Sequence, residues 1–556
     1  MTKASHCSLA GVLLAVISGC TAHPPATVTA PPRGPAQASL SEPIRFESAA
    51  ASAGIHFTLS NNLSNNSSNN GHSPLTILQT SGGGCAFLDY DNDGWADILL
   101  VGPFNLALYH NERNGTFRDV TATSGLRKDR HWMGCTVGDY DGDGKPDIFL
   151  TGYHCCALYH NLGGGRFEDV TRAAGISGLD WSLSAAFADL TGNGRLDLFV
   201  SQYVHFDANT PQDCLVGRVR ATCGPELYSP LSGRLFINLD GKHFRAAHWS
   251  DTGKTWGVLA SDLLDTGRPQ LYLANDQMPG DLWDQRSGAW HNVGPASGTA
   301  YDGHGQVQGG MGVDSGDYDN DGKLDLLVTT FVGQSASLYH NDGSGLFTES
   351  SGPTLLGPAT LPYVKFGAGF ADFDNDGWLD VMITCGQVRD NINLIDASQT
   401  YKQPIQLFRN NHGRFSDVSS ESGIAGMRAV GRGMAFADYD HDGKMDALIC
   451  NLEGDAILLH NITQNTNHWL NVRLADAGGN RNGLGARLTL TANGLTRISE
   501  IRTCGSVLSA HEPIAHFGLG EYSGPAELTV RWPDRGIQHI HVNDADRTVT
   551  VRKSRN

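Results

Sequence analysis

Short apolar and β-branched runs recur along this chain, bounded by polar or glycine-rich turns. DIFLT (Asp147–Thr151), DLLVT (Asp325–Thr329) and DVMIT (Asp380–Thr384) have the length and composition of strands. Before each lies an acidic turn, and before that turn a strand of small and apolar residues: GMGVDSGD from Gly310, GAGFADFD from Gly367, GMAFADYD from Gly433. After each run come LYHN or LFRN, a glycine turn, and F-x-D-V with a small-residue tail. Leu108–Leu126 (LYHNERNGTFRDVTATSGL), Leu158–Ile176 (LYHNLGGGRFEDVTRAAGI) and Leu407–Ile424 (LFRNNHGRFSDVSSESGI) show the phrase in full. Four strands per unit is the content of a propeller blade. The expected fold is all-β: a seven-bladed propeller over residues 43–463, followed by a smaller domain over 464–556.

The acidic turn is the most informative element. Five copies keep the form D-x-D-x-D-G-x-x-D, starting at Asp89, Asp139, Asp317, Asp372 and Asp438. A worn copy, DLTGNGRLD, starts at Asp189, and a nearly erased one, DLLDTGRPQ, at Asp262. The first aspartates stand 50, 50, 73, 55, 55 and 66 residues apart, which marks a repeat protein. A calcium ion takes about six to eight oxygens in a flexible shell. Side chains at positions one, three, five and nine, with the carbonyl of position seven, converge if the glycine at position six allows the sharp turn. The expected structural calcium ligands are therefore Asp89, Asp91, Asp93, Trp95 and Asp97; Asp139, Asp141, Asp143, Lys145 and Asp147; Asp317, Asp319, Asp321, Lys323 and Asp325; Asp372, Asp374, Asp376, Trp378 and Asp380; and Asp438, Asp440, Asp442, Lys444 and Asp446, the seventh-position residues acting through backbone oxygen. The third copy, with Asp189, Asn193 and Asp197 but Thr191 at position three, is expected to bind weakly. The fourth, with Leu264, Thr266 and Gln270 at ligand positions, is expected to bind nothing. An EF-hand would need Glu at position twelve and flanking helices. Position twelve is instead Leu100, Leu150, Val328, Ile383 and Ile449, all inside strand-like runs.

The formal net charge is −18, and the five intact loops alone hold twenty aspartates, so the acidity is concentrated in the repeat. Nucleic acid is excluded as a partner, because phosphate contacts need clustered Lys and Arg. With 40% apolar residues and 68 glycines, the composition suits a turn-rich β protein. The start reads as a targeting segment: Lys3, the apolar run Leu9–Ile17, then Ile17-Ser18-Gly19-Cys20, which resembles a bacterial lipobox. Residues 1–19 are read as a lipoprotein signal peptide, with Cys20 as the acylated residue; an ordinary secretory signal is the alternative. Residues 20–42 are a Pro/Ala/Thr-rich spacer able to reach about 60 Å. The chain is thus expected to be exported and lipid-anchored to a bacterial envelope at the outer membrane, touching membrane only through that anchor. Asn61–Asn70 (NNLSNNSSNN) reads as a flexible loop.

In such an oxidising compartment Cys214 and Cys223, which bracket a short loop, are the expected disulfide. Cys85 and Cys135 occupy positions that hold Ala185, Val313 and Ala368 in other copies, and are read as small buried residues. The adjacent Cys155 and Cys156 could bridge or stay reduced; the pairing of Cys385, Cys450 and Cys504 is open.

On these residues the repeats resemble the FG-GAP (VCBS-type) calcium-binding propeller blades also seen in integrin α-chains. Ala300–Phe331 and the CGP at Cys223–Pro225 resemble bacterial relatives of the cartilage acidic protein family. NHWLNVRL (Asn467–Leu474), NRNGLGARLTL (Asn480–Leu490), AHFGLG (Ala515–Gly520) and AELTVRWPDRGIQHIHV (Ala526–Val542) are similar to the ASPIC/UnbV domain. Alternating strands and glycine turns suit a small β-sandwich there.

No nucleophile–base pair stands out; Ser506, Ser509 and His511 are read as structural, and no catalytic residue or organic cofactor is assigned. The leading functional reading is an envelope-displayed calcium-binding scaffold that recognises an extracellular or periplasmic protein or glycan. The alternative is an enzyme, a polysaccharide lyase or a redox-cofactor propeller, for which His205, Arg218 and Arg220 form the one cluster to examine. A third reading places the partner surface on the ASPIC/UnbV domain. Two structural expectations follow. Ile44–Phe57 (IRFESAAASAGIHF) resembles the tail that precedes each later loop, so it should supply the outer strand of the last blade. The insertions Tyr203–Ser232 and Gly386–Pro404 should project from the face opposite the acidic loops.

Overall fold

The small-residue phrases fold into strands buried along almost their whole length. The computed structural model describes residues 43–60, 74–286 and 288–554, so the targeting segment, Cys20, the spacer and Asn61–Asn70 lie outside the described residues. The innermost strands are Gly84–Leu88, Trp132–Gly138, Ser182–Ala188, Thr255–Ser261, Val313–Gly316, Lys365–Ala371 and Gly431–Ala437. Each is the first of four antiparallel strands, giving seven such sheets in chain order among the described residues, with added strands on the first and the sixth, and each acidic loop is the turn from its first strand to its second. The innermost strands neighbour one another in cyclic order, with Gly431–Ala437 returning to Gly84–Leu88. Ala, Gly, Ser and Cys dominate these strands because seven of them crowd around one axis. The result is a propeller-like ring without a free long edge.

Closure uses the N-terminal phrase. Phe46–Ser48 pairs antiparallel with Ile457–Asn461 as the outer strand of the seventh sheet. The following turn docks on the first sheet, where Phe117 donates its N–H to Ala53 O at 2.7 Å. The same docking recurs around the ring, from Phe244 to Ala174 and from Phe46 to Ser422, both at 2.8 Å. A glycine must sit at each such turn: Gly54, Gly125, Gly175, Gly298 and Gly423 all have φ between 80° and 90°, and a Cβ on any of them would meet the carbonyl of the docked Phe.

The C-terminal residues form two sheets. His468–Ala475 lies between Ile514–Gly520 and Arg547–Arg552; Arg487–Ala492 and Ala526–Arg531 are the central strands of the other sheet, flanked by Leu495–Glu500 and Ile537–Val542. Leu470, Val472, Leu488, Leu490, Phe517, Leu528 and Trp532 fill the space between them. One part of this domain leaves the sandwich. Cys504–Gly505 and Ser509–Ala510 form a hairpin that joins the first sheet of the ring, with Ala510 paired to Ala86.

That segment plugs the centre of the ring. Cys85 donates its N–H to Ser509 Oγ at 3.2 Å, Cys135 to Leu508 O at 3.0 Å, Ala260 to Cys504 Sγ at 3.3 Å, and Val313 to Ser506 O at 2.8 Å. Leu508 donates its N–H to Ser184 Oγ at 2.9 Å, and Phe436 donates to His511 Nδ1 at 3.1 Å. At the remaining innermost strand, a Cβ on Gly367 would lie 3.0 Å from Ser506 Oγ. Ser506, Ser509 and His511 are thus bound into the ring. Among the described residues no helix is long and apolar enough to cross a membrane.

Candidate functional site

The acidic loops take their shape from their own side chains. In every loop the first aspartate accepts the N–H of the glycine at position six; Asp89 receives Gly94 at 3.0 Å and Asp372 receives Gly377 at 2.7 Å. That glycine has a φ between 76° and 94° in all seven copies, the left-handed region that L side chains avoid. The ninth-position aspartate is held from both sides: Asp97 accepts Tyr90 N–H at 3.1 Å and Asn111 N–H at 2.8 Å. The worn loops keep this scaffold, since Asp262 still accepts Gly267 N–H at 2.8 Å.

The asparagine of the LYHN phrase links neighbouring sheets. Asn161 Nδ2 donates to Tyr90 O in the preceding sheet at 2.8 Å and to Pro146 O of its own loop at 2.9 Å. Asn238, Asn341, Asn410 and Asn461 repeat this, and Asn111 reaches Tyr439 O at 2.9 Å, across the closure.

Each intact loop gathers carboxylates in a buried setting. Asp89, Asp91 and Asp97 bring ligand oxygens within 4.8 Å of one another. Burial raises Asp97 and Asp325 to about 9, Asp438 to about 8, and Asp139 and Asp317 to about 7. Neighbouring carboxylates push every one of these the same way. Asp438 Oδ1 and Asp440 Oδ1 are buried and hydrogen-bond to nothing among the described residues. Orphaned hard oxygens whose ionised state is disfavoured by burial fit a divalent cation with oxygen preference.

Beside four loops stands the histidine of LYHN, unremarked at the level of sequence: His110, His160, His340 and His460, the last with Nε2 3.0 Å from Asp440. The sixth sheet has Arg409 there, paired with Asp374 and, at 3.3 Å, with Asp376. In the worn fourth loop Arg531 pairs with Asp262 at 2.9 Å and Asp265 at 2.7 Å, so a guanidinium supplies the positive charge. In the third, Thr191 donates both its N–H and its Oγ1 to Asp197 Oδ2 at 2.9 Å, a hydroxyl where the intact copies carry a carboxylate.

The C-terminal domain sits on this face of the ring. Arg473 pairs with Asp89 at 3.1 Å, Arg481 donates to Gly142 O at 2.8 Å, and Arg487 donates to Gly322 O. Arg497 donates to Gly377 O at 3.2 Å, and Asn471 to Asp438 at 3.2 Å. A cavity of about 470 Å³ remains between the domain and the fifth to seventh sheets. Its arginines are already engaged: Arg473 also holds Glu512 at 2.7 Å, and Arg502 holds Asp314.

The opposite face carries the two long insertions, which meet. Thr222 Oγ1 donates to Val388 O at 3.3 Å, and Asn391 Nδ2 to Arg220 O at 2.7 Å. Cys214 and Cys223 are joined by a disulfide across the Cys214–Val216 and Val219–Ala221 hairpin; Cys155 and Cys156 are both free thiols. A pocket of about 210 Å³ opens between the insertions, with Tyr203, Trp256 and Phe366 among its walls and Glu226, Asp276 and Arg389 among its polar groups. Tyr203 donates its hydroxyl to Asp276 at 2.7 Å. Sequence reading missed this pocket because its residues come from nine separate stretches between Ile77 and Arg389. His205, Arg218 and Arg220 are all exposed, and Arg220 pairs with Asp213 at 3.0 Å.

These features define an all-β repeat protein with FG-GAP-like repeats, matched over residues 89–150, 140–200 and 317–383, and a C-terminal ASPIC and UnbV domain, matched over 476–556. Cartilage acidic protein 1 of Homo sapiens is 27% identical over 287 residues, which is 50% of this chain and 40% of that protein. The protein of the same name from Mus musculus is 26% identical over 287 residues, 42% of its length. This chain therefore matches less than half of the length of these curated relatives. Among solved structures, an Agrocybe aegerita lectin that recognises non-reducing terminal N-acetylglucosamine aligns with a TM-score of 0.39 at 15% identity, over 67% of this chain and 86% of the lectin. YCF48 from Cyanidioschyzon merolae aligns with a TM-score of 0.39 at 11% identity, over 68% and 95%.

Proposed function

We propose that this chain is a calcium-stiffened recognition scaffold, held to a bacterial envelope through Cys20 and the spacer, that binds an extracellular protein or glycan with the face opposite its acidic loops. The observation that carries this reading is the meeting of the two insertions. Long excursions on a rigid repeat scaffold are where binding resides. Here both come from the same position in their blades, contact each other, and enclose a pocket beside a disulfide that orders one of them in advance. The acidic face is covered by the C-terminal domain, which leaves the insertion face for a partner.

Calcium belongs to the scaffold. The side chains at positions one, three, five and nine and the seventh carbonyl of the loops at Asp89, Asp139, Asp317, Asp372 and Asp438 would hold it, supplying positive charge to groups that otherwise repel. The third loop should bind weakly, and the fourth is served by Arg531. Shortening both insertions to the length of the second sheet's turn should abolish capture of partner from envelope and matrix extracts, with the calcium-dependent melt unchanged. Retained capture would move the site to the C-terminal domain.

A further inference from the structure

The pocket between the insertions has a specific chemistry. We propose that it takes one neutral sugar ring, the terminal unit of a glycan; this rests on the reading of that face as the recognition surface. Tyr203, Trp256 and Phe366, the last with Arg432 over one face at 3.9 Å, supply apolar lining of the kind that packs against the C–H groups of a pyranose. At about 210 Å³ the space is smaller than the roughly 300–1,000 Å³ of drug-sized sites, which suits one ring and not an extended chain.

The polar groups are a mixed set of donors and acceptors. Glu226 and Asp276 offer carboxylate oxygens, and Arg389 offers N–H groups. Among the described residues Arg389 Nε is buried and hydrogen-bonds to nothing, a donor in want of an acceptor. A sugar presents vicinal hydroxyls that both accept and donate, which matches an arginine facing carboxylates.

Charge decides against ionic ligands. Aromatic walls with two carboxylates would ordinarily attract a cation. Here the chain supplies its own: Lys254 donates to Pro225 O at 2.6 Å and lies beside Asp276. With Arg389 it balances the two carboxylates, so an added cation meets arginine and an added anion meets Glu226 and Asp276.

The test uses the full chain in calcium. Glucose, galactose, mannose, fucose, xylose, N-acetylglucosamine and N-acetylgalactosamine are titrated at up to tens of millimolar, with glucuronate and tetramethylammonium as charged probes, read by calorimetry and by Trp fluorescence. At least one neutral sugar should bind, while both charged probes fail. Glu226→Gln and Arg389→Ala should each weaken binding about tenfold, the effect of losing one hydrogen bond to a charged group. The calcium-dependent melt of each variant should match the parent, which separates a lost contact from a lost fold. Binding of either charged probe in place of the sugars, or of no sugar at all, overturns the proposal. If insertion shortening still abolishes partner capture, the recognition face stands and only the ligand class falls. Sugar binding that survives both insertions' removal overturns the proposal and the face together.

Discussion

Asn410 does two things at once. Its side chain donates to Leu379 O in its own sheet and to Tyr318 O in the preceding one, at 2.9 and 2.7 Å, and its backbone N–H holds Asp380. Replacing it with Ala leaves two buried carbonyls without donors, each worth about 1–3 kcal/mol. Asn410→Ala should therefore destabilise by roughly 2–4 kcal/mol in chemical denaturation, whereas Asn411→Ala, at an exposed neighbour, should be near neutral. The aspartates and glycines of the loops were legible because their spacing repeats and their chemistry is narrow. The asparagine repeats as faithfully, yet its role was not legible, since its partner is a backbone carbonyl that leaves no trace in sequence. The histidines His110, His160, His340 and His460 share that difficulty, because they reach the loops only through strand pairing. A second residue-scale expectation concerns pH. Burial lowers His511 to about 4, against an ordinary value of about 6.5. The unfolded chain then binds more protons between those values, so stability is full above about pH 6.5 and declines as pH falls toward 4. Burial lowers His131 and His516 to about 4 as well, which adds to the decline. In saturating calcium the melting temperature should fall over that window, and His511→Asn, which keeps an acceptor for Phe436 N–H, should reduce the slope.

At the scale of elements, ring closure and the insertions were both readable, for a shared reason. Each is a departure from a regular repeat: Ile44–Phe57 is a tail without a preceding blade, and Tyr203–Ser232 and Gly386–Pro404 are lengths in excess of the period. The structure places Phe46–Ser48 in the seventh sheet and docks Ala53 on Phe117. Deleting Ile44–Phe57 removes that outer strand and exposes the edge Ile457–Asn461, so the shortened protein should aggregate or melt well below the parent. Light scattering and a thermal melt check this, and parental behaviour would argue against closure by this strand. The hairpin at Cys504–Ala510 was not readable. Its sequence, CGSVLSA, has the small residues of any glycine-rich turn, and only the ring supplies partners for its backbone. A Cβ on Gly134 would lie 2.6 Å from Leu508 O, so Gly134→Val should displace the hairpin and destabilise ring and C-terminal domain in one transition.

At the scale of the molecule, the C-terminal domain is built into the ring. It reads the acidic loops through Arg473, Arg481, Arg487, Arg497 and Arg531 and fills the axis with Leu508, so the two lobes should unfold together. Calcium is expected to hold the five intact loops. With extracellular-type dissociation constants of about 10⁻⁴–10⁻³ M, a tenfold excess of ion adds roughly 1.4 kcal/mol per site, and five independent sites add about 7 kcal/mol, comparable to the stability of a whole domain. The direct measurement is the thermal melt of the full chain in calcium, in magnesium and in EDTA, with Asp321→Ala beside the parent. The expected result is a melting temperature many degrees lower in EDTA, restored by calcium and not by magnesium, with Asp321→Ala reproducing part of the loss. A melt unchanged by EDTA, or fully restored by magnesium, would contradict it.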